Sequence, residues 1–340
     1  MSPIFRAMSV PKKRPLRRIV VLVMLASLAG AAGIVWTLQR PLPINGERVV
    51  HIARRTTIAG AIDSIDAQCT LPTPALVRMT ARLMARITQR PVHHGWYRFT
   101  SSDSQWDVVT ALLSGRRRPA IRVTIPEGLT YREIASILQR KAEIDSSAFV
   151  SWCEQDSVVA KYTDDAPSME GYLMPDTYDV LWRDDASAIG ERLAERARSI
   201  WNELNVRTSR KEGLTLASIV QAEAANVAEM PAIAGVYSNR LKRGMRLEAD
   251  PTVQYGIGVK RRVLYRDLDD SHAYNTYLHT GLPPGPIGNP GADAIKAALH
   301  PAEHQFMYFV ARGDSTGLHR FARTGAEHME NVRLYRIARR

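Results

Sequence analysis

The sequence contains few residues of the kinds that build disulfide frameworks or metal sites. Its 340 residues include two cysteines, Cys69 and Cys153, which lack C-x-x-C spacing and are too few for a disulfide framework. Whether they pair in an oxidising compartment or remain two unrelated buried thiols stays open. There is no histidine pair on a predicted helix, no acid-rich loop and no glycine-rich phosphate loop. We therefore expect an activity that needs no metal ion and no cofactor.

Charge is absent from one long stretch near the start of the chain. Ile19–Leu38 contains no charged residue, and a basic tail precedes it. The basic residues of this tail are Arg6, Lys12, Lys13, Arg14, Arg17 and Arg18. A run of about 20 apolar residues is long enough to cross a bilayer. A cleaved signal peptide is the alternative, but the run is longer than a typical signal core and Trp36 stands at its outer end.

The basic tail also predicts an orientation. Positively charged flanks stay in the cytoplasm, so we expect 1–18 there, 19–38 in the inner (cytoplasmic) membrane and the rest outside the cytoplasm. A formal net charge of +12 is also typical of nucleic-acid-binding proteins. No nucleic-acid recognition motif is visible, however, and the folded part is expected across the membrane from nucleic acid. The charge fits an anionic membrane surface or wall polymer better.

Hydrophobic periodicity and capping residues predict an α+β fold. Apolar strands and amphipathic helices occur along the same chain, and 45% hydrophobic residues allow more than one domain. Helices are expected at 57–65, from Ser104, from Thr130 and at 186–204, and strands at 95–99, 121–125, 306–310 and 319–321. Ser104 and Thr130 each begin a capping pattern, which marks a helix start.

A candidate catalytic residue stands at the end of one apolar helix stripe. The stripe, at positions i, i+3, i+4 and i+7, consists of Leu216, Ile219, Val220 and Glu223. Burial disfavours the charged form of a carboxylate, so the pKa of Glu223 should rise toward neutrality. A proton held near neutral pH is what a general acid needs. The alternative is a helix-end glutamate that reaches water or pairs with an arginine.

Polar and stiff segments follow this helix. Arg246–Gly256 and Tyr274–Tyr277 carry Asp, Asn, Thr and Tyr side chains, and Gly281–Gly291 is too rich in Pro and Gly to be a helix or a central strand. Such polar groups hydrogen-bond sugar hydroxyls, and aromatic rings cover sugar faces. The candidate sugar-binding residues in these segments are Asp250, Thr252, Tyr255, Asn275 and Tyr277.

Several ordered motifs resemble those of the YceG-like family of endolytic murein transglycosylases. They are E-G-Y-L-M-P-D-T-Y from Glu170, S-I-V-Q-A-E ending at Glu223, N-R-L-K-R-G-M-R-L-E-A-D-P-T-V-Q-Y-G, Y-N-T-Y, G-L-P-P-G-P-I, A-L-H-P-A and H-R-F. The resemblance extends from roughly Thr56 to Phe321. Motifs in matching order and spacing are far more specific than any single short pattern.

The resemblance implies a membrane-anchored enzyme that cuts peptidoglycan glycan strands. Glu223 matches the family's catalytic acid, and Glu170 belongs to a matching motif and is expected to line the same cleft as a substrate contact. The implied reaction cleaves the β-1,4 bond between N-acetylmuramic acid and N-acetylglucosamine, leaves 1,6-anhydro ends and limits strand elongation. Gln221 replaces an acid of many members and Ala224 a threonine, so no role is carried over to either.

The resemblance also implies domains and partners. A membrane-proximal α+β region at 39–165 would include a LysM-like subdomain at about 120–165, and a catalytic domain would occupy 166–340. The LysM-like part either binds glycan or only spaces the active site from the membrane. The implied partners are glycan strands, the membrane, and peptidoglycan synthases or divisome proteins.

Two other functions stay open. A lysozyme-like hydrolase would need a second carboxylate roughly 5–9.5 Å from the first, and the candidates are Glu170, Asp176 and Asp250. Asp176 follows a proline, so ordinary turn chemistry also explains it. A catalytically silent wall-binding or division scaffold is the third hypothesis. His319 matches a family motif position, although a lone strand histidine is more often structural.

Overall fold

The computed structural model describes residues 14–163, 165–204 and 209–339. These form two compact units, Met1–Pro119 and Ala120–Arg340, and both mix helices with short antiparallel strands, as predicted for an α+β protein. Of the basic tail expected at 1–18, residues 1–13 lie outside the described residues. The domain boundary expected at 165/166 falls inside the second unit, and as a functional division it stays a prediction.

The first unit begins with a long apolar helix, α1, at Arg14–Leu38. Within it, Ile19–Leu38 has a mean hydropathy of 2.4, and its most apolar stretch is not buried inside the described protein. The helix is therefore long and apolar enough to cross a membrane. Its last residue, Leu38, is buried in the core of the first unit.

In the rest of the first unit, three helices and a two-stranded sheet share one hydrophobic core. Its elements are β1 (Glu47–Ile52), α2 (Ile58–Cys69), α3 (Pro74–Thr88), β2 (Gly95–Thr100) and α4 (Gln105–Ser114), with β1 antiparallel to β2. The predicted helix starting at Ser104 is confirmed, because Ser104 and Asp107 form a reciprocal capping box. Cys69 is buried here, and Cys153 is buried in the second unit; both are free thiols.

The second unit starts with a strand whose partner lies far along the chain. Its first elements are β3 (Ala120–Thr124), α5 (Tyr131–Ala142), α6 (Ser146–Glu154), α7 (Asp156–Tyr162) and β4 (Thr177–Leu181). β3 pairs with β4 in antiparallel register. Thr130 and Glu133 cap α5 as predicted. Because β4 lies beyond residue 165, the two-stranded sheet extends past the expected end of the LysM-like subdomain, which itself stays a prediction.

The remaining elements of the second unit include one helix, Arg210–Glu223, that is buried over most of its length. They are α8 (Ala186–Glu203), α9 (Arg210–Glu223), α10 (Met230–Lys242), α11 (Asp250–Ile257), α12 (Ala292–Leu299), β5 (Tyr308–Ala311), β6 (His319–Ala322) and α13 (Gly325–Ala338), with short 3-10 helices at Val227–Glu229 and Tyr265–Asp269. α9 packs against α10, α11 and α12. Ile219 and Val220 are fully buried, which confirms the apolar stripe.

One predicted strand differs in extent and burial. The segment expected as a buried strand at 306–310 forms β5 only from Tyr308, and its four residues are half-buried. β5 pairs with β6 alone in an antiparallel two-stranded sheet. Phe309 of β5 meets the ring of Tyr237 edge-on, but none of the four β5 residues is enclosed fully.

Gly171, the residue after Glu170, has no room for a side chain. Its φ of +83° lies in the left-handed region, and a methyl group there would overlap the ring of Pro286. Gly171 therefore lets two loops approach each other closely.

We expect Gly171→Ala to destabilise the second unit by about 2–4 kcal/mol, from left-handed strain and overpacking together. Gly244→Ala is the matched control, because its φ is +66° but the space around it is open. The control should lose only about 1 kcal/mol, from strain alone. Thermal unfolding of both variants measures this, and equal losses would show that the contact with Pro286 does not constrain the fold.

Candidate active site

Glu223 is the last residue of α9, and the residue as a whole is half-buried. The helix ends there because Ala224 adopts an extended conformation, with φ −81° and ψ 114°. The three apolar residues on the same face are buried, so the stripe turns the carboxyl group toward the protein. The predicted placement of a carboxyl group at the end of a buried stripe is confirmed.

Tyr237 on α10 is the hydrogen-bond partner of Glu223. The tyrosine hydroxyl donates to Oε1 of Glu223 over 3.1 Å, and the tyrosine is buried with its ring edge-on to Phe309. Burial raises the pKa of Glu223 to about 7, and the Tyr237 hydrogen bond offsets part of that rise. The charge of Asp250 also raises this pKa, and that of Arg240 lowers it. Glu223 can thus hold and release a proton near neutral pH.

Asp250 and Tyr277 form a pair whose charge acts on Glu223. Asp250 is exposed at the first turn of α11 and accepts a hydrogen bond of 2.7 Å from the Tyr277 hydroxyl. Burial raises the pKa of Tyr277, and its hydrogen bond to Asp250 raises it further. The tyrosine therefore remains a hydroxyl donor. The structure brings these two predicted sugar-binding residues together.

Asn275 and Thr252, also predicted to bind sugar, are interior supports in this structure. Both are fully buried. The Asn275 amide donates to the carbonyl oxygens of Leu268 and Asp270 and accepts from the backbone of Tyr277. The Thr252 hydroxyl bonds Thr276 over 2.8 Å and the carbonyl of Ala249. The sequence does not distinguish sugar binding from structural support, because amide and hydroxyl groups hydrogen-bond backbone groups as readily as sugar hydroxyls.

Glu170 is a second buried carboxyl group, only 3% exposed. Its Oε1 accepts from the backbone N–H of Tyr131 over 3.1 Å and from Nδ2 of Asn289 over 2.9 Å. The Tyr255 hydroxyl lies 3.4 Å from its Oε2. Burial raises the pKa of Glu170 to about 8, although these donors favour the charged form. Glu170 thereby joins the start of α5, α11 and the loop before α12.

A cavity of about 910 Å³ opens beside this carboxyl group. It is lined by Glu170 and Tyr255 and reaches Ala222, the neighbour of Glu223 on α9. Its basic lining residues are Arg132, Lys260, Arg261 and Arg262. The first three of these pair with Glu154, Glu133 and Asp267 respectively. Among the described residues, no group of three His, Cys, Asp or Glu side chains is placed to hold a metal ion.

Sequence reasoning missed the residues that hold the Pro- and Gly-rich loop against α9. Ser218 accepts from the backbone of Ile287 and Gln221 from the backbone of Gly291, each over 3.0 Å. Asn289 is fully buried and bonds Glu170, Leu129 and Leu173. Tyr237 was missed too, although it follows apolar residues of α10 at helical spacing, which was an available signal.

Two other predicted residues have structural partners. Asp176 is exposed, accepts from the backbone of Thr177 and lies 3.6 Å from Arg196, as turn chemistry suggests. Nδ1 of His319 lies 2.8 Å from Glu229, whose carboxylate also accepts from the His319 backbone. This contact ties β6 to the segment that follows Glu223.

Comparison with known proteins decides the family. The YceG-like family model matches residues 50–334. The chain belongs to the YceG-like family. An endolytic murein transglycosylase of Bacillus subtilis is 31% identical over 262 residues, which are 71% of this chain and 72% of the relative. One of Streptococcus pneumoniae is 30% identical over 275 residues, 70% of this chain but only 50% of the relative.

A solved structure from the YceG-like family is also similar. The crystal structure of a YceG-like protein of Listeria monocytogenes superimposes with a TM-score of 0.55 at 26% sequence identity. The match covers 84% of this chain and 99% of that one. The fold described above is therefore shared with a family member.

The raised pKa of Glu223 predicts how stability depends on pH. As pH rises from about 4.5 to about 7, the unfolded chain loses this proton while the folded chain retains it, so folding stability falls. Glu223→Gln lacks this titration. We expect the variant to gain stability relative to the parent across that window, with a constant difference above it.

Thermal unfolding at a series of pH values measures this difference. Glu212→Gln is the control, because Glu212 lies on the same helix but is exposed in its first turn. The control should show no such trend. A constant difference between Glu223→Gln and parent across the window would mean that Glu223 ionises normally in the folded protein.

Proposed function

We propose that this chain is a membrane-anchored endolytic lytic transglycosylase of peptidoglycan, with Glu223 as the catalytic acid. The observation that carries the proposal is the carboxyl group of Glu223, whose pKa burial raises to about 7 and which accepts a hydrogen bond from Tyr237. The relatives named endolytic murein transglycosylase support the reaction class. The substrate is the β-1,4 bond between N-acetylmuramic acid and N-acetylglucosamine in nascent glycan strands.

The first step transfers the proton of Glu223 to the glycosidic oxygen. The bond from C1 of the muramic acid to that oxygen breaks, its electron pair stays with the leaving sugar, and positive charge develops at C1. Glu223 is then a carboxylate. The Tyr237 hydroxyl donates to it, which favours this charged form and holds its orientation.

The second step gives Glu223 a new proton. The Glu223 carboxylate takes this proton from the C6 hydroxyl of the same muramic acid, and the C6 oxygen bonds to C1. The product is a 1,6-anhydro end, and Glu223 is protonated again. A single carboxyl group with a pKa near neutral pH suits both directions of transfer. No second carboxylate and no water molecule take part.

Hydrolysis is the second candidate reaction, and the charge of Asp250 is the observation that favours it. Asp250 is exposed and its charge raises the pKa of Glu223, so we take it as the candidate second carboxylate. Its hydrogen bond with Tyr277 uses one of its oxygens. Hydrolysis would leave reducing ends instead of anhydro ends. A silent wall-binding scaffold would give neither product.

We further propose that α1 anchors the chain in the inner membrane with its N-terminus in the cytoplasm. The uncharged length of Ile19–Leu38 supports this proposal. The two-stranded sheet of β3 and β4, with helices between the strands, supports a LysM-like glycan-binding or spacing role for this part of the chain. Peptidoglycan synthases or divisome proteins are the proposed partners of an enzyme that limits strand elongation.

Replacing the acid by its amide tests the reaction. Glu223→Gln preserves shape but can neither donate nor recover the proton, so we expect loss of activity by roughly 10²-fold or more. Glu212→Gln, the same change at the exposed start of α9, should retain parental activity. Mass spectrometry of purified glycan strands after digestion counts anhydro ends. A folded Glu223→Gln protein that still makes them would assign the acid to another residue.

Removing the hydroxyl of Tyr237 tests its hydrogen bond with Glu223. The hydrogen bond lowers the pKa of Glu223, so Tyr237→Phe should raise that pKa and move the loss of activity at high pH to still higher pH. Loss of a hydrogen bond to a charged group should also slow the reaction by about 10–100-fold.

The pH profile of anhydro-product release measures both effects. Tyr255→Phe is the matched control, because its hydroxyl lies beside Glu170. The Tyr255→Phe control should have lower activity than the parent, but its activity should be lost at the same high pH. An unmoved limb in Tyr237→Phe would show that this tyrosine does not set the acidity of Glu223.

A further inference from the structure

Helix α3 carries an apolar stripe that its own unit leaves uncovered. One face of the helix is in the core, where Val77 and Ala81 are fully buried. Met79, Leu83 and Ile87 lie on another face and are 58%, 57% and 67% exposed. These three residues stand four apart, so they form one continuous row along the helix. A row of large exposed apolar side chains indicates a contact with something outside the described chain.

A row of arginines runs beside the apolar stripe. Arg78, Arg82 and Arg86 also stand four residues apart, so they occupy the neighbouring strip of the helix surface. Arg78 pairs with Asp63 over 2.8 Å, whereas the other two arginines are exposed. An apolar stripe bordered by cations is typical of helices that lie in the bilayer interface. The positive charge complements anionic phospholipid headgroups.

A buried glutamine joins the start of α3 to the end of α1. Nε2 of Gln105 donates to the carbonyl oxygen of Thr37, in the last turn of α1, over 2.9 Å. Its Oε1 accepts from the backbone N–H and the hydroxyl of Thr73, the residue before α3, over 2.9 and 3.0 Å. The end of α1 and the start of α3 are therefore joined through the amide group of Gln105. Gln105 is fully buried, which fixes this arrangement.

The end of α1 has the side chains of a membrane boundary. Trp36 is 62% exposed, and the guanidinium of Arg40 lies 4.1 Å from the centre of its ring. Tryptophan and arginine at the end of an apolar helix mark the level of the headgroups. α3 thus begins at that level when α1 crosses the bilayer.

We propose that α3 is an interfacial helix that binds the surface of an anionic phospholipid bilayer. Met79, Leu83 and Ile87 enter between the headgroups, and Arg82 and Arg86 contact phosphate oxygens. The first unit is then held against the membrane at two places, the α1 span and α3. This inference rests on α1 crossing the bilayer, as proposed above, and is independent of the reaction at Glu223.

A fluorescent label on the stripe tests the proposal in the full chain. Leu83→Cys would carry an environment-sensitive dye, and the chain would be reconstituted in vesicles of phosphatidylcholine with or without phosphatidylglycerol. The native thiols interfere little, since both are buried and burial raises the pKa of Cys69 to about 11. The matched control carries the dye at Arg116→Cys, in the exposed turn after α4.

Headgroup-attached nitroxide lipids report contact with the bilayer. We expect strong quenching and a blue shift at position 83 in phosphatidylglycerol vesicles, and several-fold weaker quenching at position 116. Arg82→Glu with Arg86→Glu should reduce the quenching at position 83 several-fold. Arg55→Glu with Arg116→Glu, the matched reversal of two exposed arginines, should leave it unchanged.

Other outcomes would overturn the proposal. A dye at position 83 that stays in water, in folded and vesicle-bound protein, would exclude an interfacial helix. Equal quenching in neutral vesicles, or after reversal of the α3 arginines, would exclude anionic lipid as the ligand. A blue shift that grows with the protein-to-lipid ratio, without lipid quenching, would assign the stripe to a second copy of the chain. Failure of the chain to float with the vesicles would remove the premise that α1 crosses the bilayer.

Discussion

The acidity of Glu223 depends on the burial of the helix that carries it. α9 is enclosed by α10, α11 and α12, and its final residue places a carboxyl group where water cannot solvate the charge fully. Within the described part of the chain, the hydrogen bond from Tyr237 is the one that favours the charged form of Glu223. Asp267 shows the opposite balance in the same unit. Hydrogen bonds from Arg261 and from the Leu264 backbone lower its pKa to about 2.

Polar side chains hold the loop beside α9 through hydrogen bonds. Ser218 and Gln221 lie on α9 itself and bind the loop before α12 through its backbone. Asn289, within that loop, bonds Glu170 and two backbone groups. Three residues of a loop without regular structure are thus hydrogen-bonded inside the protein. Such support preorganises a site.

Local patterns predicted the helices well, because periodicity and capping act over a few residues. The stripe ending at Glu223 and the capping boxes at Ser104 and Thr130 are confirmed. Contacts between distant segments were not accessible in this way. β3 pairs with β4, more than fifty residues away, and Tyr237 meets Glu223 only because α10 packs against α9. The sequence shows which side chains are polar, but only packing decides whether a partner is backbone, as for Asn275, or solvent.

The central claim is that Glu223 holds a proton in the folded protein at a pH where an ordinary glutamate has lost it. Infrared difference spectra between the parent and Glu223→Gln, recorded over a pH series, isolate the carbonyl stretch of this one protonated carboxyl group. We expect the band to persist well above pH 4.5 and to fall to half its intensity at about pH 7. Loss of half the band near pH 4.5, in a folded protein, would contradict it.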